Sequence, residues 1–189
     1  MITINLIKKL QQEQEKLDNF IIKNKKIITD DNHFARTKLA LLVEIGELAN
    51  ELGTFKHWKV QKNVDWKKIQ EELIDCLHFY LSFTNHFHID FSIYNKIKEE
   101  LKLEEKNNNI IPCDLSSQSI IIYNELLLGL FSQAERMVIW YIPEKEHFYR
   151  WLAIFEELAK MIGISNETEL YQAYMAKNKI NWERQNKGY

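Results

Sequence analysis

The chain has 189 residues, with 25 Lys plus Arg against 27 Asp plus Glu, and its net charge of −2 excludes a broad footprint for nucleic acid or an anionic membrane. Hydrophobic residues make up 46%, while only 5 Gly and 2 Pro are present, so a substantial core is affordable and a few long helices are favoured over many short strands. No apolar run approaches the ~18 residues of a membrane span, and Cys76 and Cys113 lack any CxxC spacing.

In chain order, the periodicity predicts a first helix over about 3–25, with Leu6, Leu10, Leu17, Ile21 and Ile22 near helical spacing. MITINLIKKLQQEQ turns polar within a few residues, unlike a signal peptide, so a soluble, cytoplasmic protein with reduced thiols is expected. A second helix is predicted over about 34–52, stopping at Gly53, and TFKHWKVQKNVD (54–65) reads as a loop. A third spans about 65–87, opened by Asp65 as N-cap, and 92–106 reads as a charged, exposed helix. NNNIIPCDLSSQ (107–118) is irregular; helices follow over about 119–141, 144–162 and 166–181, punctuated by Pro143 and Gly163. No strand-like alternation persists, so the expected fold class is all-α, a helical bundle forming one domain over 1–189.

Within the second helix, Glu44 and Glu47 stand three apart and share a face, with Glu51 close behind. The third helix repeats the pattern in EELIDCLHF, where Glu72 and Asp75 are again i, i+3. Solvated acids making i,i+4 pairs are the ordinary reading of such spacing, and it suits Glu51 and Glu71. The other four lie among Leu, Val, Ile and Ala, with Lys68 as the one cation on their faces, so they are expected to be buried. Buried carboxylates repel one another and lose hydration, and divalent cations relieve both effects. An all-carboxylate set suits Mg²⁺ or Mn²⁺ rather than Zn²⁺. A di-iron bundle is the rival, through Asp75-x-x-His78 and Glu144-x-x-His147, although the second pair opens a charged helix; His86 and His88 read as surface residues. Spacing alone leaves a metal site and plain acid pairs both open.

E-x-x-E on one helix, followed after an aromatic and basic loop by E-x-x-D on the next, resembles the all-α nucleoside triphosphate pyrophosphatases, the MazG-like superfamily. Three further stretches resemble the dimeric dUTPases within it: FKHWK (55–59), the LHF that follows the second acid pair, and the C-terminal YMAKNKINWERQNKGY (174–189). The last is the most specific. The resemblance runs from about residue 10 to Tyr189, weakest over the variable segment at about 88–118, and EQEKLDNF is its looser N-terminal part.

This resemblance implies hydrolysis of dUTP to dUMP and pyrophosphate by water activated at Mg²⁺, with Mn²⁺ as a substitute. It implies Glu44, Glu47, Glu72 and Asp75 as metal ligands and Glu47 as the group that also takes the water's proton. Gln14 and Asp18 are implied in base recognition, Trp58 in packing on base or sugar, and His78 and Phe79 in shaping the nucleotide pocket. Lys56, Lys177, Asn178, Asn181 and Arg184 are implied at the phosphates or sugar, with Tyr189 closing the motif. The helix at 119–141 is expected to serve core and homodimer contacts. Two alternatives stand beside this reading. One is a house-cleaning pyrophosphatase for another base; the other is a phage-type dUTPase that also binds a repressor protein through the segment near 107–118. Use of dUDP as a second substrate is left open.

Overall fold

The computed structural model describes residues 2–59, 64–101, 111–139 and 142–187. Seven helices carry the described residues: α1 (Ile4–Lys25), α2 (Asp31–Leu52), α3 (Trp66–His86), α4 (Tyr94–Leu101), α5 (Ser117–Arg136), α6 (Lys145–Met161) and α7 (Glu167–Asn186). The fold is all-α, as the composition indicates. Side-chain caps set most of the starts: Thr3, Asp30, Asp65, Ser116 and Asn166 each accept a backbone N–H three residues on. Gly53, at φ 66°, ends α2 in the left-handed conformation that a residue with a Cβ adopts reluctantly.

α3 is the central helix and packs on α1, α2, α6 and α7. Its core face is aromatic: Tyr80 stacks on Trp151 with centroids 4.2 Å apart and donates its hydroxyl to Phe148 O at 2.9 Å. Phe83 stacks between Phe34 of α2 (5.3 Å) and Phe148 of α6 (5.6 Å). α5 joins α2 and α6, and α7 lies against α1 and α3, where Trp182 meets Phe20 at 4.4 Å. No helix among the described residues is long and apolar enough to cross a membrane. Cys76 is buried and Cys113 exposed, both as free thiols.

Four expectations need correction. α2 begins at Asp31 rather than 34, because Asp30 Oδ1 accepts the His33 N–H at 2.9 Å. α5 stops at Arg136 rather than 141. Beyond it the β-branched Val138 and Ile139 pair with Ile142 and Pro143 in a two-stranded antiparallel ribbon, β1 (Val138–Ile139) and β2 (Ile142–Pro143), with Ile139 opposite Ile142. The helix predicted over 92–106 is described as α4 up to Leu101, its remaining positions lying outside the described residues, and it is anchored rather than exposed: Tyr94 is buried, and Lys98 pairs with the buried Glu156 of α6 at 2.6 Å. α7 continues to Asn186 rather than 181. The irregular segment expected at 107–118 lies partly outside the described residues, as does Tyr189.

Candidate active site

α2 and α3 run antiparallel, with Phe34 on Phe83 at one end of their seam and Glu51 on Lys68 (2.6 Å) towards the other. Midway along it, Glu44 meets Glu72 and Asp75, and one oxygen of each lies within 4.8 Å of the others. All three side chains are half-buried. Burial and the charges of Asp75, Glu47 and Glu72 push the Glu44 carboxyl up to about 7. Burial likewise raises Glu72, with Asp75 and Glu47 adding to it. Asp75 is raised by burial as well, against the downward pull of its hydrogen bond from Lys177 and of the Arg184 charge. Such mutual elevation marks a cluster in which full ionisation is disfavoured, because burial and like charge outweigh the positive charge nearby.

The sequence reading is corrected in two respects here. α2 is not enclosed all round, since Leu39 (62%) and Val43 (48%) are exposed, and Glu47 is exposed with them, outside the trio. The acids are also not without a basic partner: Lys68 binds Glu51, whereas Lys177, brought from α7, donates its ammonium to Asp75 Oδ2.

From the trio towards the Phe34–Phe83 end of the seam the polar residues form one connected network. Gln14 (3% exposed) accepts at Oε1 from the Tyr174 hydroxyl (2.8 Å) and from His78 Nδ1 (2.6 Å), while its Nε2 donates to Asp18 at 2.8 Å. Tyr174 in turn lies over the His78 ring at 4.3 Å and accepts from Asn178 Nδ2 at 3.4 Å. Burial, with the Lys177 charge behind it, pushes the His78 imidazole down to about 3, so the ring is neutral at pH 7. Because Nδ1 donates, Nε2 is an acceptor, and it is buried with no protein partner among the described residues. Burial pushes Asp18 up to about 6 against the hydrogen bonds from Gln14 and Ser82.

Next to this network lies a cavity of ≈ 430 Å³ between α1, α2 and α3, lined by Asp18, Asn19, Thr37, Phe79, Ser82, His33 and His86 among others. On α3, Phe79 is one turn and Ser82 two turns from Asp75; on α2, Thr37 is two turns from Glu44. The trio and the cavity therefore follow one another along one seam, about 10 Å apart by helical rise.

Gln14, Asp18, His78, Phe79, Lys177 and Asn178 thus gather near the trio or cavity. Asn181 follows on the same α7 face and is half-buried, and the Arg184 charge acts on Asp75. Lys56 and Trp58 are not brought to the cavity. They lie beyond the far end of α2, where Lys56 Nζ donates to Asn50 O (2.8 Å) and Trp58 is 64% exposed, edge-on to Phe55. The di-iron pattern is not formed: His78 bonds Gln14, His147 Nδ1 meets Gln133 Oε1 at 2.7 Å, and the one His, Cys or acidic cluster among the described residues is the trio. Thr37, Ser82 and Tyr174 were not anticipated. Helical spacing could have found two of them, since Ser82 is two turns after Asp75 and Tyr174 one turn before Asn178.

The donors of the trio are carboxylate oxygens, which fit a hard divalent cation better than a thiolate- or imidazole-seeking metal. A comparison with curated proteins gives no match. A comparison with family models matches residues 6–189 to the family described as dUTPase. The matched region takes in both acid pairs, the connecting loop and all of α7, and on this evidence the chain belongs to the all-α dUTPase family, hydrolases of dUTP.

Proposed function

We propose that the protein cleaves dUTP to dUMP and pyrophosphate, with Mg²⁺, or Mn²⁺ in its place, held by Glu44, Glu72 and Asp75. The observation that carries this reading is the succession of an acidic trio and a nucleoside-sized cavity along the α2–α3 seam. A nucleoside triphosphate has the same polarity, anionic at one end and a flat heterocycle at the other. The cation neutralises phosphoryl oxygens and acidifies a water when bound.

The chain's own groups do the rest. Glu47, exposed at the rim and one turn from Glu44, is suited to accept the proton of the attacking water. Lys177, Asn178, Asn181 and Arg184 share one side of α7 at helical spacing and present donors to the phosphate chain. Phe79 offers an apolar surface to the sugar or base, and Asp18 and Gln14 offer the polar groups beside it. Gln14 cannot flip without losing three hydrogen bonds, so the hydrogen-bonding pattern it presents is constant. The unpaired His78 Nε2 is the kind of buried acceptor that a ligand hydroxyl or N–H satisfies. Lys56 and Trp58 belong, in this reading, to the loop on the phosphate side rather than to the base.

The same reading treats residues 1–189 as one domain, working in the cytoplasm as a homodimer. Exposed Leu39 and Val43 on α2, and Ile121 and Leu128 on the adjoining α5, favour a partner surface. Phosphorus NMR of products from dUTP, dTTP, dCTP and UTP, with Mg²⁺ and then EDTA, tests the chemistry, and light scattering tests the dimer. Release of orthophosphate with dUDP overturns the pyrophosphatase reading; a stronger preference for another base replaces dUTP with that base.

A further inference from the structure

The cation nearest the trio comes from neither of the helices that supply the acids. Lys177 is 102 positions from Asp75 in the chain, yet its ammonium donates to Asp75 Oδ2, with the two side chains 17% and 18% exposed. Its charge also acts favourably on Glu44 and Glu72, while its hydrogen bond goes to Asp75. The obvious local candidate, Lys68, is engaged with Glu51 at 2.6 Å. Three carboxylates with oxygens within 4.8 Å repel one another, and one ammonium offsets only part of that. A divalent cation on the trio would draw on the same Asp75 carboxylate at ~2.0–2.1 Å for Mg²⁺, and repulsion between that cation and an ammonium held on Oδ2 weakens the hold of both.

We propose that Lys177 is a resident counter-ion of the trio, and that a divalent cation and the Lys177 ammonium compete for Asp75. Loading of the cation releases Lys177 from Asp75 onto the side of α7 that carries Asn178, Asn181 and Arg184, where a phosphate becomes its new partner. Metal binding without nucleotide is held down by the ion pair. Nucleotide raises it by re-partnering the displaced ammonium, and by linkage the metal raises nucleotide affinity equally. The inference rests on the reading of the trio as a divalent-cation site.

The test is Mn²⁺ alone, titrated into the full chain without nucleotide and followed by electron paramagnetic resonance of the free ion. Lys177→Met is expected to bind Mn²⁺ about tenfold more tightly than the parent, the scale of one charge-assisted hydrogen bond. In EDTA its melting midpoint is expected to fall, and Mn²⁺ is expected to raise it by more than it raises the parent's. In the unaltered protein, acetylation of Lys177 read by mass spectrometry is expected to speed up on adding Mn²⁺, relative to Lys179. That measurement decides the matter if Lys177→Met does not fold. Equal or weaker Mn²⁺ binding by Lys177→Met, or a Lys177 acetylation rate indifferent to Mn²⁺, overturns the competition. Glu72→Gln separates this from failure of the site. If it abolishes Mn²⁺ binding, the trio stands and only the competition falls; if it leaves Mn²⁺ binding unchanged, the metal site is wrong and the competition falls with it.

Discussion

Replacing Glu44 by Gln keeps the side-chain volume and removes one charge from the trio, so its effect on stability should depend on pH. In the folded chain the Glu44 carboxyl is raised from 4.5 to about 7, first by burial and then by Asp75, Glu47 and Glu72. Between those values the native state holds a proton that the unfolded chain releases, so stability declines as pH rises through the window and is flat above it. At about 1.4 kcal/mol per tenfold the shift has a ceiling of roughly 3 kcal/mol, and solvent screening of a half-buried group brings this to ~1–2 kcal/mol. Glu44→Gln should therefore be more stable than the parent by ~1–2 kcal/mol at pH 8, a rise in melting midpoint of roughly 2–8 °C, and nearly unchanged at pH 5. Thermal unfolding of both proteins in EDTA at the two pH values measures this. With Mn²⁺ at pH 8 the order should reverse, because the parent gains a ligand-stabilised state and the variant does not. An equal difference at both pH values, or a variant less stable at pH 8, would show that the ionised Glu44 carries no penalty and that the trio is an ordinary acidic surface.

Glu47→Gln should lose turnover while keeping Mn²⁺ affinity within a few-fold, since Glu47 stands outside the trio; near-normal kcat would remove its role as base. Arg184→Ala should lower kcat/KM for dUTP by ~1.5–3 kcal/mol through a lost charge-assisted phosphate contact, and Arg184→Lys should recover only part; equal kcat/KM in all three proteins would take Arg184 out of the site. Tyr174→Phe removes the hydroxyl that binds Gln14 Oε1 at 2.8 Å and accepts from Asn178. It should cost ~1–2 kcal/mol in urea unfolding and raise KM for dUTP, because Gln14 loses one of the groups that orient it; unchanged stability and KM would show the network to be incidental.

Helix identity was legible locally because caps and periodicity are local. Asp65 announced the start of α3 and Gly53 the end of α2, and the scarcity of Gly and Pro announced an all-α chain. The E-x-x-E and E-x-x-D pairs were legible for the same reason, since i, i+3 spacing by itself aligns two carboxylates on one face. Where helices end against tertiary neighbours, the pattern misled. The run around Pro143 is apolar enough to prolong α5, and only the pairing of Val138–Ile139 with Ile142–Pro143 makes it a ribbon.

Charge compensation was the larger thing that the sequence could not express. Reading along α2 and α3 finds Lys68 and stops, but the ammonium on Asp75 arrives from α7, and its distance of 102 positions carries no periodic signal. The exposure of Glu47, Leu39 and Val43 was equally hidden, because an apolar helix reads as buried whether it is covered by its own chain or left for another surface. Linear sequence determined which faces carry acids and which carry amides. Only the packing of α1 and α7 against the α2–α3 seam decided that those acids converge, that Gln14, His78 and Tyr174 lock one another, and that a cavity opens two turns away. Side-chain contacts between helices depend on crossing geometry and on which residues fill the space between them, and neither is written in any one segment.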